Sequence, residues 1–546
     1  MKKMLLLLSL MMGSVCYAED ITIHYKGATA KVEQKIKDSV NVSVDGAIVN
    51  IESLYKDHKL TLCLTGKSND GQLNLKTAGK AKIKLDGLTL TSQEGAPINL
   101  KNKKKVEIVA TKGTENTLTI TACNDTANHK AATIWAKDKL LLSGKGTLNI
   151  IATGDGCRGI KTKKDIIIEE LTLNVTTTGN NLGEKPFGMG GFPGFGGDMP
   201  DFGGEMPDFG GGFPMPSFGG MRAEGNDSTR RGRFPGFGGG MPFPGFGGGR
   251  PDFEGMRPEG NDSTRRGGFP GFGGGMPDFG GGFLMGGFDG GFPMGGFDND
   301  STEEGGFGGF GGKHKYVAST KGIASKGRIT INSGNVTVRT STPGAEGIEG
   351  KDGVVLNGGN IDVLATDDAI NANNTIEFNG AHVVARSKGN DAVDSNPKGG
   401  FFMGFGGNNQ QEQDPAIVIR GGTVYAWSQV GSPEEGLDGD FAPFVIEGGT
   451  IFSVGGGMGE MPSVPTNETA RQTTALLIGI NIAKDEPVNI YDENGKLILT
   501  VTIPFSMRRS ASLVGSPDFK LGNTYTVKTK GYEKTFTLND PFTAVK

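Results

Sequence analysis

Six small-apolar dipeptides recur in the chain: Gly159-Ile160, Gly322-Ile323, Gly347-Ile348, Ala369-Ile370, Ala392-Val393 and Gly436-Leu437. Each is flanked by a polar or charged residue at fixed positions. The residue before it reads Arg158, Lys321, Glu346, Asp368, Asp391, Glu435, and the residue after it Lys161, Ala324, Glu349, Asn371, Asp394, Asp438. Four successive copies therefore carry two acids, or an acid and an amide. In stacked copies about 4.8 Å apart, like charges repel by roughly 0.9 kcal/mol in water and about 3.5 kcal/mol at an effective dielectric of 20. Such a column calls for a counter-ion. Oxygen donors without nearby thiols or imidazoles select Ca²⁺ over a transition metal. The candidate ligands are Glu346, Glu349, Asp367, Asp368, Asn371, Asn390, Asp391, Asp394, Glu435 and Asp438, with Asp440 beside them. The alternative is a hydrated acidic rim that holds no ion.

The elements that must position these residues are short strands. Residues 329–338, 354–363 and 375–384 each alternate apolar and polar positions, bend at a Gly, and alternate again. Residues 417–426 and 444–453 repeat the pattern around Gly421-Gly422 and Gly448-Gly449. Each unit is two strands joined by a corner, and the dipeptide supplies a third strand. The dipeptide Gly residues and their Ala replacements at 322, 347, 369 and 392 are 25, 22 and 23 residues apart. That repeat is too short for a propeller blade and carries no helix signal, so it predicts one coil of a parallel β-solenoid, all-β in class. Earlier segments, 59–64, 82–90, 106–110, 117–121 and 140–151, continue it less regularly. From Leu476 onward the repeat stops and Asn494-Gly495 reads as a hairpin turn, which predicts a β-rich cap over the open end of the stack.

Composition divides the rest of the chain. Of 546 residues, 94 are Gly and 26 Pro, and many of them fall in a low-complexity stretch, residues 186–312, made of Phe-Gly-Gly, Met-Pro-Asp-Phe and Gly-Phe-Pro units. Isolated Phe side chains cannot offset backbone ordering at roughly 1 to 2 kcal/mol per residue, so a disordered insert is predicted there. Residues 1–18 show Lys2 and Lys3, an apolar run and small residues ending at Ala18, the pattern of a cleavable export signal. The predicted organisation is a signal over 1–18, N-terminal coils over 19–185, the insert over 186–312, C-terminal coils over 313–475 and the cap over 476–546. A net charge of −4 without a basic block argues against nucleic acid as a partner. Four Cys and five His are too few and too scattered for a zinc module. Gly154-Asp-Gly-Cys-Arg-Gly159 matches a dinucleotide fingerprint in letters, but a strand pattern follows it, leaving no helix N-terminus for a pyrophosphate.

Several motifs, occurring in order, resemble a known family. They are Lys321-Gly-Ile-Ala-Ser-Lys326, the run from Gly347-Ile-Glu-Gly-Lys-Asp-Gly to Val363, and Ala365-Thr-Asp-Asp-Ala-Ile-Asn-Ala372, with Gly113-Thr-Glu-Asn-Thr-Leu118 upstream and Leu521-Gly-Asn-Thr-Tyr-Thr-Val527 downstream. They are similar to secreted carbohydrate-binding β-helix proteins associated with cellulose and acidic polysaccharides. The resemblance implies a right-handed parallel β-helix like that of polysaccharide lyases, bound Ca²⁺, and affinity for plant-type polysaccharide. It carries the metal-binding acids onto Asp367, Asp368, Asp391 and Asp394. Ala369 departs from the Gly usual in the Asp-Asp-Gly-Ile form.

The function expected is an extracellular binder of cellulose or a polygalacturonate-like polysaccharide, secreted, at the cell surface or periplasmic, monomeric, with no transmembrane segment. A solenoid face repeats every 4.8 Å or so, close to one sugar residue, and Ca²⁺ can bridge carboxylates to uronates. Trp135, Tyr425, Trp427 and Phe452 are either sugar-stacking platforms or coil packing. The alternative is a Ca²⁺-dependent pectate lyase, with Lys161, Lys351 or Lys388 as base. A second alternative is a structural or adhesive surface protein.

Overall fold

The computed structural model describes residues 19–123, 131–184, 316–397, 414–430, 433–439, 442–455 and 463–546. The expected export signal over residues 1–18, the Gly/Phe-rich stretch over residues 186–312 and Asp440 lie outside the described residues. Among the described residues there are strands, turns and bends and no helix.

Alternation of apolar and polar residues builds the strands, and parallel pairing stacks them. In one coil Ile348–Gly350, Val354–Leu356 and Asn360–Ala365 follow one another, and each pairs in parallel with its counterpart in the next coil, Ile370–Ala372, Ile376–Phe378 and His382–Ser387. The short first strands form an 11-stranded sheet that runs from Val40–Asp45 to Leu437–Asp438 in chain order. The second and third strands of every coil belong to a larger sheet. Register is unbroken between coils on either side of the insert: Ile160 pairs with Ile323, Ile168 with Ile331 and Val175 with Val338. Antiparallel hairpins, Ile21–Lys26 with Thr29–Gln34 and Val40–Asp45 with Ile48–Ser53, start the stack.

The interior consists of columns of like residues. Ile160, Ile323, Ile348, Ile370, Val393 and Leu437 lie one above another, none more than 2 % exposed. Two further features hold the columns in register. Asn332, Asn357 and Asn379 form a ladder in which each amide donates to the carbonyl below, at 2.9 and 2.8 Å. At the corner before the third strand the backbone turns left-handed, with φ +87° at Gly359, where a Cβ would stand 2.5 Å from the Gly334 carbonyl oxygen. Only Gly tolerates both conditions.

The dipeptide position shows the same economy of space. A Cβ on Gly347 would lie 2.4 Å from Val363 Cγ1 and 2.5 Å from the Ala369 carbonyl oxygen. One coil further, Ala369 replaces the Gly, and Ala385 stands in register with Val363. The wall opposite has shrunk to admit the added methyl, which accounts for the Ala of the Asp-Asp-Ala-Ile motif.

Beyond the coils, Thr474–Ile482 pairs antiparallel with Met507–Gly515, and Pro487–Asp492, Leu497–Thr502, Thr524–Thr529 and Tyr532–Thr537 form an antiparallel sheet. Asn494-Gly495 is the turn of the first hairpin, with φ +79° at the Gly. This region has its own core, in which Trp427 and Phe452 of the last coils pack with Val488, Ile490, Tyr525 and Phe536. Trp427 and Phe452 are thus buried packing residues, and Trp135 is 4 % exposed as well. Tyr425, half-buried with its ring edge-on to His382 at 6.0 Å, is the one aromatic of the four with an accessible face.

Candidate functional site

Each coil brings a polar residue to the same place on the 11-stranded sheet because the strands pair in parallel without slippage. Lys161 is opposite Ala324, Ala324 opposite Glu349, Glu349 opposite Asn371, Asn371 opposite Asp394, and Asp394 opposite Asp438. The residues before the dipeptides stack by backbone bonds: Gly159 N–H to the Lys321 carbonyl at 3.0 Å, Gly322 to Glu346 at 3.0 Å, Gly347 to Asp368 at 2.9 Å, and Ala392 to Glu435 at 3.1 Å. Asp368, Asp391, Asp394, Glu349 and Asn371 are all buried.

Burial divides the candidates into groups. In the first, Lys321 Nζ reaches Glu346 at 3.1 Å and Glu349 at 2.7 Å, and Lys351 Nζ reaches Glu349 at 2.5 Å. Burial acts to raise the Glu349 carboxyl, but Lys321 and Lys351 outweigh it and hold that carboxyl well below the glutamate range. Glu346 is pushed up by burial and by Glu349. The counter-charge here is lysine, so Glu346 and Glu349 are already neutralised within the chain. The sequence placed Lys321 in the same column but gave no sign that its side chain would reach two acids in the next coil.

In the second group, carboxylate oxygens of Asp368, Asp391 and Asp394, one from each, all lie within 4.8 Å of one another. Asn371 Nδ2 donates to Asp368 Oδ2 at 2.9 Å and to Asp394 Oδ2 at 3.0 Å, and Asn396 Nδ2 donates to Asp394 Oδ2 at 2.7 Å. These amides fix carboxylate orientation. Burial raises the Asp391 carboxyl well above the aspartate range, and Asp438 and Asp394 add to the effect. A divalent cation would reverse that penalty. Two oxygens bound to one Ca²⁺ at about 2.3–2.6 Å are at most about 5 Å apart, so a single ion can touch all three carboxylates. The donor set, carboxylate oxygens in a buried pocket, fits Ca²⁺.

The remaining candidates sit at the margins. Asp367 is half-buried and forms a second close acidic group with Glu346 and Asp368. Asn390 is a turn residue whose N–H bonds Ser387 Oγ at 2.9 Å and whose carbonyl accepts from Ser428 Oγ at 2.7 Å. Glu435 accepts from the Ser463 N–H at 2.9 Å, and Ser463 Oγ donates to Asp438 Oδ1 at 3.0 Å. Ser463 and Asn396 were not singled out from the sequence, since neither falls in an aligned acidic column.

With this geometry in view, comparison with known proteins is informative. A family described as carbohydrate-binding domain-containing proteins matches residues 45–185, 298–392 and 343–478, together more than half of the chain. The chain belongs to that family. The match takes in Glu346 through Asp438. A carbohydrate-binding domain-containing protein of Acetivibrio thermocellus is 32% identical over 152 residues, covering 26% of this chain and 52% of that one, so the match spans about half of the relative's length. Among solved structures, a polysaccharide lyase-like protein from C. thermocellum, a gadolinium derivative, aligns with a TM-score of 0.36 and 15% identity over 70% of this chain and 95% of the other. Membership in this family supports carbohydrate binding. No helix among the described residues is long and apolar enough to cross a membrane.

Proposed function

We propose that this carbohydrate-binding protein recognises an acidic, plant-type polysaccharide outside the cytoplasm through Ca²⁺ held by Asp368, Asp391 and Asp394, and that the stack bearing them is a right-handed parallel β-helix. The supporting observation is the buried convergence of three carboxylates from two successive coils, Asp368 and Asp394 oriented by Asn371 and Asp391 opposed in its ionisation by burial and by its acidic neighbours. Bound Ca²⁺ supplies the missing positive charge. Asp438 and Glu435, one coil further, extend the same anionic line. With Ca²⁺ held by these residues, a ligand uronate would be attracted by the charge of the ion.

A lyase reading requires a basic residue poised to take a proton. Lys351, one of the three candidates, is engaged with Glu349 at 2.5 Å, which favours binding over elimination. Calcium titration followed by polygalacturonate titration of the full chain tests the proposal. The expected result is a calcium-dependent rise in melting temperature and in polysaccharide affinity, both absent in D391N/D394N. Calcium binding unchanged in that variant overturns it. Absorbance from an unsaturated uronide during the same experiment would move the assignment to a lyase.

A further inference from the structure

The motif Gly154-Asp-Gly-Cys-Arg-Gly159, which plays no part in the acidic site, forms a turn and the start of the short strand Arg158–Thr162. That turn sits directly against its counterpart in the coil before it. Ile120 and Ala152 are in register, the Thr153 N–H bonds the Ile120 carbonyl at 2.9 Å, and a Cβ on Gly154 would lie 2.9 Å from the Ala122 Cα. Each of the two turns carries one cysteine. Cys157 is fully buried with Ile120, Ala131 and Ala152, and the half-buried Cys123 packs against the same cluster.

Cys123 and Ala131 flank residues 124–130, and the next coil holds both of them at neighbouring positions. The Arg158 N–H bonds the Ala131 carbonyl at 2.9 Å, while Cys157, one residue earlier, meets Cys123. The two cysteine side chains are hydrogen-bonded, and that contact, with burial, pushes the Cys157 thiol above the ordinary cysteine range. Reactivity toward an external oxidant therefore belongs first to the more accessible Cys123. A buried cysteine among apolar neighbours alone is an inert small hydrophobe, whereas two thiols in contact on backbone-paired coils have a bond to form.

We propose that Cys123 and Cys157 are a disulfide-forming pair, joined by exchange with a small disulfide oxidant of the glutathione type, and that the bond holds the two turns together. The Cys123 thiolate attacks one sulfur of the oxidant, giving a mixed disulfide and releasing one thiol. Cys157 then attacks Cys123 Sγ, which breaks the mixed disulfide and releases the second thiol. The protein loses two electrons and two protons, and both pass to the two sulfurs of the oxidant. The cross-link closes a segment of 35 residues and fixes both sides of 124–130 to one turn, Cys123 covalently and Ala131 through its backbone bond to Arg158. It involves neither the calcium pocket nor a polysaccharide, so it stands or falls apart from the proposed function.

The test is a non-reducing tryptic map of the full chain held in equal amounts of reduced and oxidised glutathione. The expected product joins residues 113–130 to residues 146–158, is two hydrogens lighter than the separate peptides together, and is lost on reduction with dithiothreitol. C157S is expected to stop at glutathione on Cys123, and C123S to take up about tenfold less on the buried Cys157. The oxidised wild type should melt about 3–10 °C above the reduced protein, and C123S/C157S should show no such difference. A wild-type map with only the two separate peptides overturns the proposal, as does glutathione on Cys123 without the cross-link, or a bridge from Cys63 to either cysteine. A cross-link that leaves the melting temperature unchanged overturns the holding of the two turns. The map and the oxidised-against-reduced melting curves use the wild type, so they remain decisive should a variant fail to fold.

Discussion

The earlier and later coils share one backbone plan yet carry opposite charge. Residues 19–180 hold 24 Lys and Arg against 18 Asp and Glu, whereas residues 320–475 hold 10 against 18. On the 11-stranded sheet the change falls within two coils, where Lys321 and Lys351 meet Glu346 and Glu349. Parallel stacking makes charge a property of a column, because each side chain has its counterpart in the next coil about 4.8 Å away. A column can be neutralised by a neighbouring column, by an ion or by a ligand. The boundary coil uses the first means, and the proposed function assigns the second to the acidic end.

Breaking the boundary should have the largest effect. K321M removes a buried cation from the buried Glu349 and the partly buried Glu346 and is expected to destabilise the protein by about 3–5 kcal/mol, read from denaturant midpoints. Adding E346Q and E349Q should recover much of that loss, whereas no recovery would mean Lys321 acts through packing alone. The pH dependence has a definite sign. Glu349 is held below its ordinary range, so the stability it contributes is complete above the unfolded glutamate value of about 4.3 and is lost as pH falls through its lower folded value. The advantage of wild type over E349Q should therefore shrink in acid and persist at neutrality.

The acidic end is sharpened by calcium. At a free concentration of 100 times Kd, the ion should stabilise the wild type by about 2.7 kcal/mol, with no such gain in D391N/D394N. Without calcium the order reverses: because burial and the neighbouring acids oppose Asp391 ionisation, D391N should melt higher than wild type. A lower melting point for D391N in chelator would contradict the electrostatic account of this pocket.

Smaller effects test whether both regions depend on the same packing. G347A should cost about 1–3 kcal/mol because its methyl meets Val363 and the Ala369 carbonyl. In V363A, which mimics the Ala369–Ala385 coil, the same substitution should cost less, and a double-mutant cycle measures the difference. Additive costs would show that the carbonyl contact dominates. N357A interrupts the Asn332–Asn357–Asn379 ladder, and a loss of about 1 kcal/mol is expected, equal in the presence and absence of calcium.

The repeat, the three strands per coil, the Asn494-Gly495 hairpin and the alignment of Glu349, Asn371, Asp394 and Asp438 were legible in the sequence. Alternation and Gly placement report local backbone directly, and a constant interval reports stacking. The neighbouring positions of Cys123 and Cys157 were not legible, because the coil between them is longer than the later repeat, with Ile120 paired to Ala152, 32 positions on. They emerged only once strand pairing fixed which residues stand above one another. The aromatic candidates divided for a similar reason: Trp427 and Phe452 have the composition of a sugar platform, and only their contacts with the C-terminal core assign them to packing.

By itself, then, the sequence determined the coil and the kinds of side chain on each face, because both depend on residues adjacent in the chain. Tertiary structure decided which charges meet. Lys321 satisfies two acids 25 and 28 positions away, and Asp391 is crowded by Asp438 from the next coil. Coulomb interaction depends on distance through space and on burial, and neither can be read from separation along a chain.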